Sequence, residues 1–396
     1  MPEIKPEIET FAKIKVVGVG GSGGSAINRM IDSRIKGVEF IAINTDVQAL
    51  HHNNAKHKLH IGQTTTRGLG AGMNPEIGKQ AAQESINDIR DLLKGGYMVF
   101  ITCGLGGGTG TGAAPIVASI ARELGALVVA VVTKPFSFEG AQRSEIAERG
   151  YQELKDSVDT IITIPNDKIL HIIDKKTSLL DAFKTVDDVL RQGVQGISEL
   201  ITIPGLINVD FADVKAIMED AGSALMGIGE ASGENRAVTA AKLAISSPLL
   251  DISIDGARGI LFIIVGGPSL TMSEVNEAAN IITESADHNA KIIFGSVIDD
   301  GLKDKLRITV VATGFGEERE TRKTSLAEPR YSMNRLFSKK TVEDSGPDLS
   351  RLAKAEPRKE DLAKPAPLPN VPAFKSRPTS EEEDLEIPAF IRKKMK

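Results

Sequence analysis

Cysteine is nearly missing from this chain: Cys103 is the only one in 396 residues. An intrachain disulfide is thereby excluded, and a reducing compartment is the natural setting. Cys103 ends an apolar run and reads as a small buried residue rather than a nucleophile. Basic excess is missing too. The formal net charge is −5 and the pI is near 5.8, whereas nucleic-acid binding as a main task needs a basic face. No apolar run reaches the roughly 18 residues of a membrane span. The longest, 126–132 and 259–265, are strand-sized. Residues 1–13 are charged and lack the apolar heart of a signal peptide, so a soluble, cytoplasmic chain is expected. Finally, Gly-Lys-[Ser/Thr] occurs nowhere, which excludes a standard P-loop.

Glycine loops stand where that lysine motif does not. Gly104–Gly112 reads Gly-Leu-Gly-Gly-Gly-Thr-Gly-Thr-Gly, and six of its nine residues lack a Cβ. Backbone N–H groups there can press against an anion at distances other residues block. Thr109 and Thr111 add hydroxyl donors. The stretch follows an apolar strand and opens a helix expected near Ala113, with Pro115 in its first turn and its positive end toward the same spot. A second loop, Gly18-Val-Gly20-Gly21-Ser22-Gly23-Gly24-Ser25, fits a dinucleotide fingerprint when taken alone. The next strand ends Asn44-Thr45-Asp46, an imperfect match to the ribose-binding carboxylate of such a unit. A third loop runs from Gly68 to Pro75. A dinucleotide fold needs one phosphate loop; three around one site point to a di- or triphosphate gripped by backbone.

Between the loops the pattern is that of an α/β fold. Val- and Ile-rich runs at 14–19, 39–43, 98–102, 127–132 and 159–164 are nearly continuous, as buried parallel strands are. With helices between them they predict a doubly wound parallel sheet whose loops gather at the strands' carboxyl ends. Leu179, Phe183, Val186, Leu190, Val194, Ile197 and Ile201 recur every three or four residues, predicting one buried stripe on a long central helix over 178–201. Helices around 214–220, 236–245 and 271–286 and strands at 259–265, 291–297 and 306–312 then predict a smaller α+β domain. From residue 317 apolar residues thin out, and half of the 18 prolines fall between Pro329 and Pro388. A disordered C-terminal tail is expected there. It ends in Asp384-Leu-Glu-Ile-Pro-Ala-Phe-Ile-Arg392, an acidic-apolar-basic segment that reads as a tethered docking peptide.

The stretch Gly106–Gly112 resembles the signature loop of the tubulin/FtsZ family. So do Gly20–Gly24, Asn44–Asp46, Pro135–Gly140, Ile164–Asp167 and Asn208–Asp213, in order over residues 12–316, and the peptide at 384–392 is family-like as well. The resemblance implies a Rossmann-like GTP-binding domain (12–177), a central helix and connection (178–206) and a C-terminal GTPase-activating domain (207–316). A disordered linker (317–380) and a docking peptide (381–396) would follow. It implies a self-polymerising GTPase of bacterial cell division, working at mid-cell and recruiting membrane-anchored division proteins through its tail. It assigns Gly20, Gly21, Ser22, Gly23, Gly24, Ser25, Gly107, Gly108, Thr109, Gly110 and Thr111 to the phosphates. Glu139 and Arg143 go to the ribose and phosphate side, where a planar guanidinium matches phosphate oxygens. Asn166 goes to base and ribose, Phe183 to a ring stack, and Asp187 or Asp188 to the two adjacent N–H donors of guanine.

Asn208, Asp210 and Asp213 carry two readings. Locally, Asp210 is a helix N-cap with Asp213 in the first turn. By resemblance, the loop docks on the next subunit's GTP and its two carboxylates position the attacking water. Carboxylates near a γ-phosphate repel it unless Mg²⁺, held mainly by phosphate oxygens and water, offsets the charge. The chain departs from the family pattern at Ser22, where glycine is usual, at Ser25, where many relatives carry asparagine, and at Ala141-Gln142, a frequently basic pair. His51, His52, His57 and His60 are expected as exposed residues of a polar loop, without acidic partners and without metal. Two rival readings remain: a nicotinamide-dependent oxidoreductase resting on Gly18–Gly23, and a scaffold that assembles without hydrolysis.

Overall fold

A computed structural model of the chain describes residues 12–170, 173, 177–202, 205–247, 254 and 256–315. The expectations for 317–380 and 381–396 lie outside the described residues. Strands β1 (Ile14–Val19), β2 (Val38–Asn44), β3 (His57–His60), β4 (Met98–Gly104), β5 (Leu127–Lys134), β6 (Thr160–Pro165) and β7 (Gly222–Ser232) are parallel, side by side in the order β3-β2-β1-β4-β5-β6-β7. Strands β8 (Gly259–Gly266) and β9 (Lys291–Ile298) pair parallel to each other, and β10 (Lys305–Thr313) lies antiparallel between β7 and β8. The sheet therefore continues without a break from the first half of the chain into the second.

Helices cover both faces. Val17 and Val19 of β1 face a core built with α4 (Pro75–Glu84), α5 (Ile86–Leu93), α6 (Thr109–Glu123) and α7 (Ala141–Lys155). Ile14 and Val16 of the same strand face the other core, with α1 (Gly20–Asp32), α2 (Val47–His51), α8 (Asn166–Ile169), α9 (Leu179–Thr202) and α10 (Phe211–Met218). Two covered faces explain why the strand is apolar at nearly every position. The short α3 (Gln63–Thr66) leads toward the third glycine loop. On the C-terminal strands, α11 (Arg236–Ile245) and α12 (Met272–Glu284) pack over Ile260, Phe262, Ile308 and Val310.

Helix α9 decides the layout. Val186, Leu190, Val194 and Ile197 are buried in the core that also holds Leu261, Ile263 and Val311, so one stripe grips both halves of the sheet. Phe183 departs from the expected stripe: it is 42% exposed. The helix starts at the carboxyl-end loops of the parallel strands and ends beside Gly37, just before β2, where Thr202 sits. Beyond it, the Phe211 ring of α10 lies 6.4 Å from that of Tyr97, just before β4.

Five local expectations change. Helix α6 begins at Thr109, not near Ala113, so Pro115 sits in its second turn. The run Gly20–Ser25 is no loop but the first two turns of α1, entered directly from β1. Strand β7 went unseen because glycines interrupt its apolar pattern; Gly229 is required there, since a Cβ would lie 2.0 Å from the Ala240 carbonyl of α11. Helix α10 starts at Phe211, earlier than its apolar pattern indicated, because Asp210 caps it. His57 and His60 belong to β3, and His57 Nε2 is 3.1 Å from Glu39 on the neighbouring strand, an acidic partner the sequence hid. Among the described residues no group of three or more His, Cys, Asp or Glu is placed to hold a metal ion.

Candidate functional site

Two strand-to-helix junctions make the floor of the site. β1 passes into α1 and β4 into α6, side by side at the carboxyl ends of neighbouring strands. Gly20 has φ +76°, and a Cβ on it would lie 2.9 Å from the Gly110 amide nitrogen. Only glycine lets the two helix starts come that close. Their first-turn N–H groups lack intrahelical partners and their dipoles add, which makes the junction an anion site. Thr109 Oγ1 is tied to Thr45 Oγ1 at 2.6 Å, and the Gly108 amide donates to the Gly72 carbonyl at 2.8 Å. Both contacts lock the signature turn to its neighbours, and the second joins it to the third glycine loop. The amides of Gly107, Thr109 and Gly110 have no protein acceptor among the described residues.

Beside this cradle lies a cavity of about 270 Å³. Its lining includes Ser22, Ser25, Thr133, Glu139, Arg143, Asn166, Phe183 and Asp187. Glu139 Oε2 is 3.1 Å from an Arg143 nitrogen, and its other oxygen accepts from the Phe136 amide at 2.9 Å. The pair is thus both an i,i+4 ion pair and part of the wall. Arg143 Nε and Asn166 Oδ1 are buried without a partner among the described residues. Unmet polar atoms in a cavity wall mark groups kept for a ligand. Phe183 meets Phe136 edge to face at 5.6 Å and lines the cavity while 42% exposed.

The structure separates Asp187 from Asp188. Burial pushes the Asp187 carboxyl up to about 6, against the pull of Arg29. Asp188 does not line the cavity. Burial raises it as well, but hydrogen bonds from Arg191 at 2.7 Å and Gln192 at 2.6 Å outweigh this and hold its carboxyl below the ordinary value. Thr133 was missed, although its place at the end of β5 is where ligands of such sheets bind. The Thr111 side chain turns inward: it is 2% exposed, and its Oγ1 accepts from the Gly106 amide at 2.9 Å. Asp46, the carboxylate a nicotinamide site needs for ribose, instead caps α2 by accepting from the Gln48 and Ala49 amides.

Asn208, Asp210 and Asp213 lie at the other end of α9. Asn208 Oδ1 accepts from the Gly205 amide at 2.6 Å, and Asp210 Oδ1 from the Asp213 amide at 2.7 Å. The loop is stitched to β9, with Leu206 N–H donating to the Ser296 carbonyl at 2.9 Å. Asp213's carboxylate has no hydrogen bond or ion pair among the described residues.

Comparison with known proteins agrees with this geometry. Residues 13–174 match the family model described as Tubulin/FtsZ family, GTPase domain, and residues 222–316 match FtsZ family, C-terminal domain. The chain is 50% identical to FtsZ of M. jannaschii, solved as an empty dimer, with a TM-score of 0.74 over 76% of this chain and 88% of that one. CetZ2 of Haloferax volcanii, solved as a GTPγS-bound protofilament, is 20% identical over 78% of this chain and 96% of its own, with a TM-score of 0.67. CetZ1 of the same organism, a GDP-bound monomer, is also 20% identical, at a TM-score of 0.68 over 78% and 97%. At that identity the two speak for the fold alone. By the two family models and the 50% identical structure, the chain is a GTPase belonging to the tubulin/FtsZ family.

Proposed function

We propose that this GTPase assembles head to tail and hydrolyses GTP only where two subunits meet. One observation carries the reading: α9 holds the two half-sites apart. Phe183 and Asp187 stand near its amino end, and Asn208, Asp210 and Asp213 lie past its carboxyl end. Twenty-four residues of helix span about 36 Å, so the carboxylates of one subunit are out of reach of its own nucleotide. A second copy stacked in the same orientation lays its 205–213 loop over the glycine turns of the first. The relative solved as a dimer fits such self-association.

Phosphoryl transfer asks mainly for positioning and charge stabilisation, so a site split between subunits is chemically sufficient. Asp213, with its carboxylate uncommitted, orients and polarises the attacking water. Asp210 and Asn208 shape the loop that presents it. The amides of Gly107, Thr109 and Gly110, the α1 turn with Ser22 and Ser25, and Arg143 receive phosphate charge. Glu139, Asn166, Phe183 and Asp187 hold ribose and guanine. Mg²⁺, where bound, would be held by phosphate oxygens and water and would offset the charge between the phosphates and the incoming carboxylates. Hydrolysis and phosphate loss remove charge from the interface, so polymer lifetime follows nucleotide state. The domain limits 12–177, 178–206 and 207–316 express this division of labour. In the cell, the filaments form the division ring at mid-cell, and residues 384–392 link them to membrane-anchored division proteins.

Phosphate release tests the core of this. Turnover per subunit should rise with protein concentration and vanish on dilution; a rate that is constant from high dilution upward removes the shared site. A mixture of Asp213→Ala and Asp187→Ala subunits, each inactive alone, should regain activity. About a quarter of randomly formed head-to-tail contacts pair an intact pocket with an intact Asp213.

A further inference from the structure

We infer that the Thr111 side chain positions the phosphates, its hydroxyl acting through Gly106 rather than by touching the nucleotide. The turn between β4 and α6 has several amides to dispose of. Leu105 N–H donates to the Thr133 carbonyl at 2.9 Å and Gly108 N–H to the Gly72 carbonyl at 2.8 Å. Gly106 N–H donates to Thr111 Oγ1 at 2.9 Å, in a buried contact. With these three spoken for, the amides of Gly107, Thr109, Gly110 and Thr111 are the ones without a protein acceptor among the described residues. The Thr111 hydroxyl thus closes a ring of six residues, Gly106–Thr111, across the turn in which Gly106 adopts φ +96°.

Glycine-rich backbone is costly to order. A turn held by its own side chain presents its amides ready-made, so binding need not supply that ordering. Thr111 is itself held from behind. A Cβ on Gly150 of α7 would lie 2.1 Å from Thr111 Cγ2. α7 therefore packs directly on the residue that splints the phosphate turn. Gly150 lines a second cavity of about 480 Å³, bounded by α4, α6 and α7, that has no lining residue in common with the 270 Å³ cavity. Gly150→Ala accordingly disturbs the splint without adding an atom to the nucleotide pocket.

The inference rests on the nucleotide site but not on assembly, so its test uses full-length subunits diluted below assembly, where no shared contact exists. GDP affinity and the ³¹P shift of bound GDP are measured for Thr111→Val, Thr111→Ser and Gly150→Ala. Leaving the buried Gly106 amide without an acceptor should weaken GDP binding about tenfold in Thr111→Val and move the phosphate resonances. Thr111→Ser, which restores the acceptor, should bind within about threefold of wild type. Gly150→Ala should reproduce the valine phenotype from outside the pocket, and it decides the matter if Thr111→Val does not fold. Unchanged affinity and shift in the valine variant, or a serine variant as weak as valine, overturns the inference. Either result leaves the shared-site reading to its own concentration test.

Discussion

The two ends of α9 are built on opposite principles. At the end proposed to bind nucleotide, the unpartnered groups among the described residues are largely backbone amides, and side chains such as Thr109 and Thr111 hold that backbone in place. At the far end the backbone is ordinary. Asn208 and Asp210 hold the loop, and Asp213, exposed and with no carboxylate partner among the described residues, is presented to solvent. The difference matches the tasks. A phosphate cradle must oppose several charges at fixed positions, which rigid, converging helix starts do well. A water-positioning group must arrive from outside, so it needs a short, stiff mount rather than a pocket.

Removing the free carboxylate tests that contrast most severely. Asp213→Ala should lower GTP turnover by about a thousandfold, in the range for loss of a group that acts in the transition state, while GDP affinity stays within about twofold. Phosphate release and equilibrium GDP binding on one preparation check both halves; a parallel loss of binding breaks the assignment of Asp213 to the neighbour's site. Next in size is the strut itself. Leu190 is fully buried against both parts of the sheet. Leu190→Ala should cost about 2–5 kcal/mol of stability, read from denaturant midpoints. Probes placed on either half should report a single transition, because the same stripe grips both.

How legible each end was follows from the same contrast. The glycine turns announce themselves, because only glycine tolerates the Gly20–Gly110 approach and the left-handed turn at Gly106. The apolar runs of β1, β4, β5 and β8 were legible because both faces of the sheet are covered. β7 was not, since its glycines answer to α11, a partner far along the chain. The helix start at Thr109 was misplaced because glycine has poor intrinsic helix propensity; packing of α6 against α4 and α7 overrides it. At the far end, Asp210 and Asp213 spell a helix cap, and the structure contains that cap. A second role for the pair has no local signature, since the group it serves belongs to another molecule. Likewise Asp187 and Asp188 are indistinguishable as neighbours in sequence. Only the direction each takes from α9 gives one the cavity and the other Arg191.

Asp187 sharpens the comparison from the nucleotide end. Its carboxyl is raised to about 6, from an ordinary value of 3.8, chiefly by burial. The folded, nucleotide-free protein therefore binds a proton there more readily than the unfolded chain does. The group costs nothing below about pH 4 and its full penalty above about pH 6, so its share of stability falls as pH rises through that window. Two units correspond to about 3 kcal/mol, and partial solvent access reduces this to about 1–2 kcal/mol. Asp187→Asn should raise the stability of nucleotide-free protein at pH 7 by that amount, flatten this pH dependence, and weaken GTP binding. In wild type, affinity should drop below pH 6, since a protonated carboxyl cannot accept both guanine donors. Calorimetric titrations at pH 5, 6 and 7 decide it; a pH-independent affinity removes Asp187 from base recognition.

The smallest expected effect separates the two jobs of Asp210. Its side chain accepts from the Asp213 amide and so fixes the first turn of α10. Asparagine keeps that acceptor while removing the charge; alanine removes both. Loss of an N-cap costs about 1 kcal/mol, so Asp210→Ala should melt lower than Asp210→Asn, which should stay near wild type. Turnover then divides the remainder. If Asp210 acts only by aiming Asp213, the asparagine variant retains most activity and the alanine variant loses it together with the cap. If its charge also acts on the water or its counter-ion, both variants lose turnover equally while only alanine loses stability. Thermal melts paired with phosphate release on the two variants therefore distinguish a mount from a second catalytic carboxylate.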